Sequence, residues 1–128
     1  MRQAHSNNIP KFLEYLGMGE WAVRWDVQID TAREVKEGII PYVYSEEVFH
    51  QKPDYDLFVT AYIRNYYSLD QESALKSNVL AALLSPEDEK SKAILAEWDE
   101  FEKCRNIAKD YGRQIFNTGN DSLPQNTK

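Results

Sequence analysis

The chain has 128 residues, of which 42% are hydrophobic and 12% aromatic, so it can bury a core and disorder throughout is excluded. Its net charge of −6 argues against direct nucleic-acid binding and against an anionic membrane surface, and its single cysteine excludes an internal disulfide framework. No apolar run is long enough for a membrane span or a signal peptide, and we therefore expect a cytoplasmic protein.

The amino-terminal residues 1–7 are polar, and we expect them to be loose. Asn8 and Pro10 precede a group of apolar residues that ends at Gly17, which predicts a short helix. The clearest strand follows at 20–30, where apolar residues occupy every second position. These apolar residues are Trp21, Val23, Trp25, Val27 and Ile29.

A second strand is predicted at 38–44, paired antiparallel with the first. Pro41 favours an edge position, because proline cannot donate a hydrogen bond to a neighbouring strand. Ser45 then predicts the start of a short helix that ends at Gln51. The next stretch, 54–67, has helical spacing of its apolar residues but also many β-forming residues, so helix is predicted with strand as the alternative.

Two longer helices complete the predicted fold. Ser68 and Gln71 fit a capping box at the start of a helix over 69–84. Ser85 and Pro86 predict the start of a long amphipathic helix over 86–116. We predict an α+β fold, with a small antiparallel sheet packed on a helical layer, in a single domain over 1–116. The polar segment 117–128 is expected to be a disordered tail.

The sequence carries no motif that defines a reaction, a cofactor site or a metal site. Glu47 and His50 form a Glu-x-x-His pair, but a helical di-iron site needs two such pairs, so a surface pair is the preferred interpretation. Cys104 has no histidine near it in sequence, and a packed thiol is expected rather than a nucleophile. We therefore expect a protein that is not an enzyme.

Tyrosine is the most informative residue type, because it buries an aromatic face while its hydroxyl stays in water, as at many protein interfaces. We predict a non-enzymatic protein-binding module, such as an inhibitor, an immunity-type protein or an adaptor, whose acidic and aromatic surface binds a more basic protein. The predicted partner-binding residues are Tyr42, Tyr44, Tyr62, Arg64, Tyr66, Tyr67, Trp98 and Phe101. The alternatives are a subunit that self-assembles or dimerises through the long helix, and a small enzyme or ligand-binding protein with an aromatic pocket containing Trp21 and Trp25.

Overall fold

The computed structural model describes residues 1–32 and 40–116. In this part of the chain, a four-stranded antiparallel sheet is followed by three helices, which confirms the predicted α+β class. The elements in chain order are β1 (Arg2–Ser6), β2 (Leu13–Gly17), β3 (Glu20–Ile29), β4 (Tyr42–Phe49), α1 (Tyr55–Arg64), α2 (Leu69–Leu84) and α3 (Glu89–Phe116).

The chain divides into two compact units. The sheet unit comprises Met1–Leu57 and the end of α3 from Tyr111, and the helical unit comprises Phe58–Asp110. One domain over 1–116 stays a prediction, and the predicted tail lies outside the described residues. Within those residues, no helix combines the length and the apolar character needed to cross a bilayer.

The strands lie in the order β1-β4-β3-β2, and every neighbouring pair is antiparallel. The strand predicted at 20–30 is confirmed as β3. The strand predicted at 38–44 starts only at Tyr42 and continues to Phe49, while its first two positions lie outside the described residues. The predicted helix from Ser45 is wrong, because these residues pair with β3. The predicted edge position is also wrong, because β4 lies between β1 and β3 and Pro41 precedes it.

The amino-terminal predictions are wrong as well. Residues 2–6 are not loose but form β1, which pairs with β4 in the register Ala4↔Tyr44. The helix predicted to end at Gly17 is instead the edge strand β2. Over so short a stretch, the spacing of the apolar residues fits the period of a helix as well as that of a strand. Pairing with β3 stabilises the strand.

A β-bulge divides β3 into two parts. Trp25 lies opposite Ser45, but the next paired residue, Gln28, lies opposite Val43, so β3 has one more residue than β4 at this point. Asp26, within the bulge, has a φ of 54°, in the left-handed region. The alternation of faces therefore changes phase here, and Ile29 is exposed although the regular pattern places it with Trp25.

The three helices predicted after residue 53 are confirmed in type, although α1 ends at Arg64 and not at 67. Asp54 Oδ1 accepts the backbone N–H of Leu57 at 2.8 Å, which caps α1 as predicted. At the start of α2, Ser68 Oγ accepts the Gln71 N–H at 3.0 Å, and Gln71 Oε1 accepts the Ser68 N–H at 2.7 Å. This reciprocal pair is the predicted capping box.

The long helix α3 begins three residues later than predicted. Its first hydrogen-bonded turn starts after Asp88, whose Oδ1 accepts the Lys90 N–H at 2.9 Å and whose carbonyl accepts the Lys92 N–H. Ser85 instead ends α2. An aspartate is as good a cap as a serine, and its charge also suits the positive end of the helix dipole.

Candidate functional site

The helical unit contains an open groove of about 550 Å³. We call it the tyrosine groove. It is lined by Tyr62, Tyr66, Tyr67, Glu100, Lys103, Cys104 and Ile107.

Two parts of the helical unit supply these residues. The tyrosines come from the last turn of α1 and from the residues directly after it. The backbone N–H groups of Tyr66 and Tyr67 both donate to the carbonyl of Ile63, at 3.0 and 2.8 Å, which holds the chain in a tight helix end. The α3 residues lie at 100, 103, 104 and 107, a spacing that places them on one face of a helix.

The aromatic side chains at the groove form a connected cluster. The rings of Tyr62 and Tyr66 lie 5.3 Å apart and are inclined at 45°. Tyr67 meets Phe101 edge-on at 5.1 Å, and Phe101 in turn lies 5.4 Å from Trp98. Phe101 is fully buried, so it supports the groove from below and holds the Tyr67 ring in place.

The exposure of the tyrosines is graded across the groove. Tyr62 is only 8% exposed and belongs to the core, whereas Tyr66 is 51% exposed and Tyr67 is half-buried. Tyr66 is therefore the groove tyrosine most available to another molecule, while Tyr62 and Tyr67 are held by their neighbours.

Acidic residues flank Tyr67 on both sides. A second groove of about 300 Å³ shares Tyr67 and is lined also by Gln71, Ala74, Leu75, Asn78 and Glu97. Burial raises the pKa of the Tyr67 phenol, and the charges of Glu100, of Glu97 and, at the high pH where Tyr67 itself titrates, of the Cys104 thiolate raise it further. The phenol is therefore a neutral hydrogen-bonding group beside a region of negative potential.

Cys104 is half-buried in the tyrosine groove. Burial raises the pKa of its thiol above the ordinary value, so the thiol form is favoured at neutral pH. A protonated thiol in this position acts as a small apolar contact.

Arg64 has an internal role in the same unit. Its Nη1 donates to the Tyr67 carbonyl at 3.3 Å and to Glu72 Oε1 at 3.0 Å. Arg64 therefore ties the segment after α1 to the first turn of α2. The sequence predicts it as an anchoring cation for a partner, and the geometry gives it a positioning role for Tyr67.

The structure brings six of the eight predicted binding residues into one unit. Tyr62, Arg64, Tyr66, Tyr67, Trp98 and Phe101 lie in the helical unit, of which Tyr62 and Phe101 are core. Tyr42 and Tyr44 lie on β4 in the sheet unit. Tyr44 is buried there, with its ring centroid 5.9 Å from the Arg24 guanidinium carbon.

Sequence reasoning missed the α3 side of the groove. It considered Cys104 only as a packed thiol and gave no binding role to Glu100, Lys103 or Ile107. The spacing of these residues on one helix face was the available signal, but nothing in the sequence indicated that this face lies beside the end of α1.

A second organised site lies in the sheet unit. Four charged residues, one from each strand, form a chain of ion pairs that we call the charge ladder: Arg2, Glu46, Arg24 and Glu14. The central pair joins Arg24 Nε to Glu46 Oε2 at 2.7 Å. Arg24 Nη1 also donates to Glu14 Oε1 at 2.6 Å and to the Lys11 carbonyl at 3.2 Å.

The pKa directions of Arg24 and Glu46 show that the central pair of the charge ladder stays ionised. Burial acts to raise the pKa of Glu46, but hydrogen bonds and charge interactions with Arg24 and Arg2 outweigh it and lower the pKa. Burial likewise acts to lower the pKa of Arg24, and its bonds to Glu14 and Glu46 outweigh that effect and raise it. Each charge is satisfied by its neighbours, so we interpret the ladder as a device that fixes strand order and register.

The two histidines lie in separate pairs of the sheet unit. His5 Nδ1 is 3.3 Å from Asp30 Oδ2, and His50 Nδ1 is 3.3 Å from Glu20 Oε2. His50 is therefore close to Glu20 on β3. In residues 1–32 and 40–116, no group of three or more His, Cys, Asp or Glu side chains has a geometry that could hold a metal ion.

The chain matches no protein-family model, and comparison with curated proteins and with solved structures gives no significant match.

Proposed function

We propose that the protein is a non-enzymatic protein-binding module and that the tyrosine groove is the centre of its binding surface. The observation that carries this proposal is the groove itself, an open depression lined by three tyrosines with carboxylates beside it. Binding interfaces are enriched in tyrosine at their cores and place charged groups around them.

The graded burial of the tyrosines supports the same proposal. A binding hot spot needs aromatic groups that are already held in place, because ordering them on association costs free energy. Tyr62 and Tyr67 are fixed by contacts with Tyr66 and Phe101, whereas half of Tyr66 is left exposed. Covering that exposed half would bury apolar area without reorganising the helical unit.

The charge beside the groove favours a basic partner. Four carboxylates lie within the six residues 97–102 of α3, namely Glu97, Asp99, Glu100 and Glu102. Glu100 lines the tyrosine groove and Glu97 the neighbouring one, while Lys103 and Arg105 follow directly and pair with Glu100 and Glu102. Such a run attracts a positively charged surface and speeds association in a salt-dependent way. Inhibitor, immunity and adaptor roles all fit this description. We place the activity in the cytoplasm as part of the same proposal, since a single cysteine suits a reducing compartment.

The test compares two tyrosines of equal exposure. Tyr66 is 51% exposed in the tyrosine groove, and Tyr15 is 53% exposed in the sheet unit. Tagged wild-type protein, Tyr66→Ala and Tyr15→Ala are used to capture proteins from cells of the natural source, with quantification by mass spectrometry. We expect a captured protein that Tyr66→Ala loses and Tyr15→Ala keeps.

Salt dependence and light scattering complete the experiment. We expect capture to weaken strongly as the ionic strength rises from about 0.05 to 0.5 M, because screening shortens the reach of the acidic run. Equal capture by all three proteins would overturn the proposal. Light scattering over a concentration series tests the self-assembling subunit instead, and association that depends on Tyr66 would identify a second copy as the partner.

A further inference from the structure

We propose that the tyrosine groove binds the ammonium group of a lysine side chain on the partner protein, in its native or N-methylated form. The inference rests on the proposed function and names the group that the groove recognises. The contacts would be cation–π interactions with Tyr62, Tyr66 and Tyr67 and an ion pair with Glu100.

The composition of the groove is that of an aromatic cation site. Three tyrosine rings and one carboxylate line the same space of about 550 Å³, with room for an alkylammonium group and its aliphatic stem. The face of an aromatic ring carries partial negative charge, and ammonium groups bind within about 6 Å of such rings. Methylated ammonium groups are bound in aromatic cages for this reason, because they have lost hydrogen-bond donors but keep their charge.

The relative orientation of the rings favours ammonium over guanidinium. Tyr62 and Tyr66 are inclined at 45° with centroids 5.3 Å apart, so their rings do not form one flat stacking surface. A compact, roughly spherical ammonium contacts two inclined faces at once. A planar guanidinium is best satisfied by stacking on one face and by a bidentate acceptor.

The α3 side of the groove suits the rest of a lysine side chain. Ile107 and the protonated Cys104 thiol provide apolar contacts for the aliphatic stem. Glu100 provides the counter-charge, and its present partner is Lys103, with Nζ 3.4 Å from Oε1. Both side chains of this pair are mostly exposed, so its strength is small and an incoming ammonium can replace Lys103.

The first test compares a small cationic probe with an uncharged analogue of the same shape. Choline carries a trimethylammonium group, and 3,3-dimethylbutan-1-ol has the same shape without the charge. We expect choline to shift the amide NMR signals of residues 62–67 and 100–107 with about tenfold higher affinity than the neutral alcohol. Equal affinities would overturn the inference, because burial of apolar area would then be the whole effect.

Variants test separately the contributions of the Tyr66 ring, of its hydroxyl group and of the competing cation Lys103. Tyr66→Phe should keep choline binding and Tyr66→Leu should weaken it about tenfold, while Tyr15→Leu leaves it unchanged. Lys103→Met should strengthen binding several-fold by freeing Glu100. Similar loss in Tyr66→Phe and Tyr66→Leu, or no effect of Lys103→Met, would contradict the proposed contacts.

Peptides distinguish a protein lysine from a free ammonium metabolite. Short glycine–serine peptides carry lysine, trimethyllysine or norleucine at the centre, and we expect the first two to bind and the norleucine peptide not to. Choline binding without binding of either lysine peptide would overturn the assignment to a protein side chain. If capture of a partner depends on Tyr66 but choline and the neutral alcohol bind equally, the proposed function stands and this inference fails.

Discussion

Arg24 on β3 and Glu46 on β4 face each other across the centre of the sheet, and Arg24 Nε donates to Glu46 Oε2 at 2.7 Å. Arg24 is only 9% exposed and Glu46 only 4%. A buried ion pair is tolerated only when both charges are fully paired, because each has lost its hydration. Arg2 and Glu14 provide the additional partners at the two ends, so the pair acts through the whole charge ladder.

Replacing Glu46 should destabilise the protein strongly. Glu46→Gln keeps the size of the side chain but removes the buried counter-charge of Arg24 and leaves it only the partly exposed Glu14, for which we expect a loss of about 3 kcal/mol in the free energy of unfolding. Urea denaturation followed by circular dichroism measures it. Glu14→Gln is the matched control, because the glutamate of this pair is itself exposed and its loss should cost at most about 1 kcal/mol. Equal losses would contradict a buried centre of the ladder.

Low pH should reduce the free energy of unfolding through protonation of Glu46. The pKa of Glu46 is lowered in the folded protein from its ordinary value of 4.5, so the unfolded chain takes up the proton more readily. Its contribution is complete above pH 4.5 and is lost as the pH falls through that value towards the lowered pKa. Glu72, whose pKa is lowered by Lys76 and Arg64, acts in the same direction.

The pH effect is measured by comparing wild type with Glu46→Gln. The difference in their free energies of unfolding should be large at pH 7 and should shrink as the pH falls from 4.5 towards the lowered pKa of Glu46, below which Glu46 in the wild type is neutral like glutamine. A difference that stays constant over this range would mean that the glutamate acts through its shape and not its charge.

The capping box of α2 predicts that replacing two serines by alanine will affect stability differently. Ser68→Ala removes the side chain that accepts the Gln71 N–H and should cost about 1 kcal/mol of stability. Ser73→Ala, on the exposed surface within the same helix, should be neutral or slightly stabilising, because alanine has the higher helix propensity. Thermal unfolding of both variants tests this, and a comparable loss in Ser73→Ala would show that hydroxyl removal itself is responsible.

The Cys104 thiol should react slowly with disulfide reagents at neutral pH. Its pKa is raised by burial, and each unit of increase lowers the reactive thiolate fraction about tenfold. The rate is followed with a chromogenic disulfide and compared with that of the denatured chain, which has the same single cysteine. We expect choline to slow it further, and a rate equal to that of the denatured chain would contradict the half-buried position.

Local sequence signals were sufficient for the helices and for β3. The capping box at Ser68 and the apolar spacing of α3 are complete within a few residues, so they do not depend on the rest of the fold. The alternation in 20–30 is equally local, and β3 is where it was predicted.

The outer strands could not be predicted in this way. Residues 2–6 are polar and carry no alternation, and they form a strand because β4 offers paired backbone groups. Glu46 and Glu47 suit the first turn of a helix, yet Glu46 lies in a strand because Arg24, 22 residues earlier, pairs with it. Such partners are distant in sequence, and the same holds for the tyrosine groove, whose two sides come from α1 and α3.

The bulge at Asp26 determines where β3 can lose a residue without moving the remaining side chains to the other side of the sheet. Before the bulge, the odd-numbered residues of β3 lie on one side of the sheet. After the bulge, the even-numbered residue Gln28 lies on that same side. Deleting one residue at 26 or 27 would therefore restore an unbroken ladder, whereas deleting a residue near Val23 would move every later side chain to the wrong side. A deletion scan should find one tolerant point in an otherwise intolerant strand.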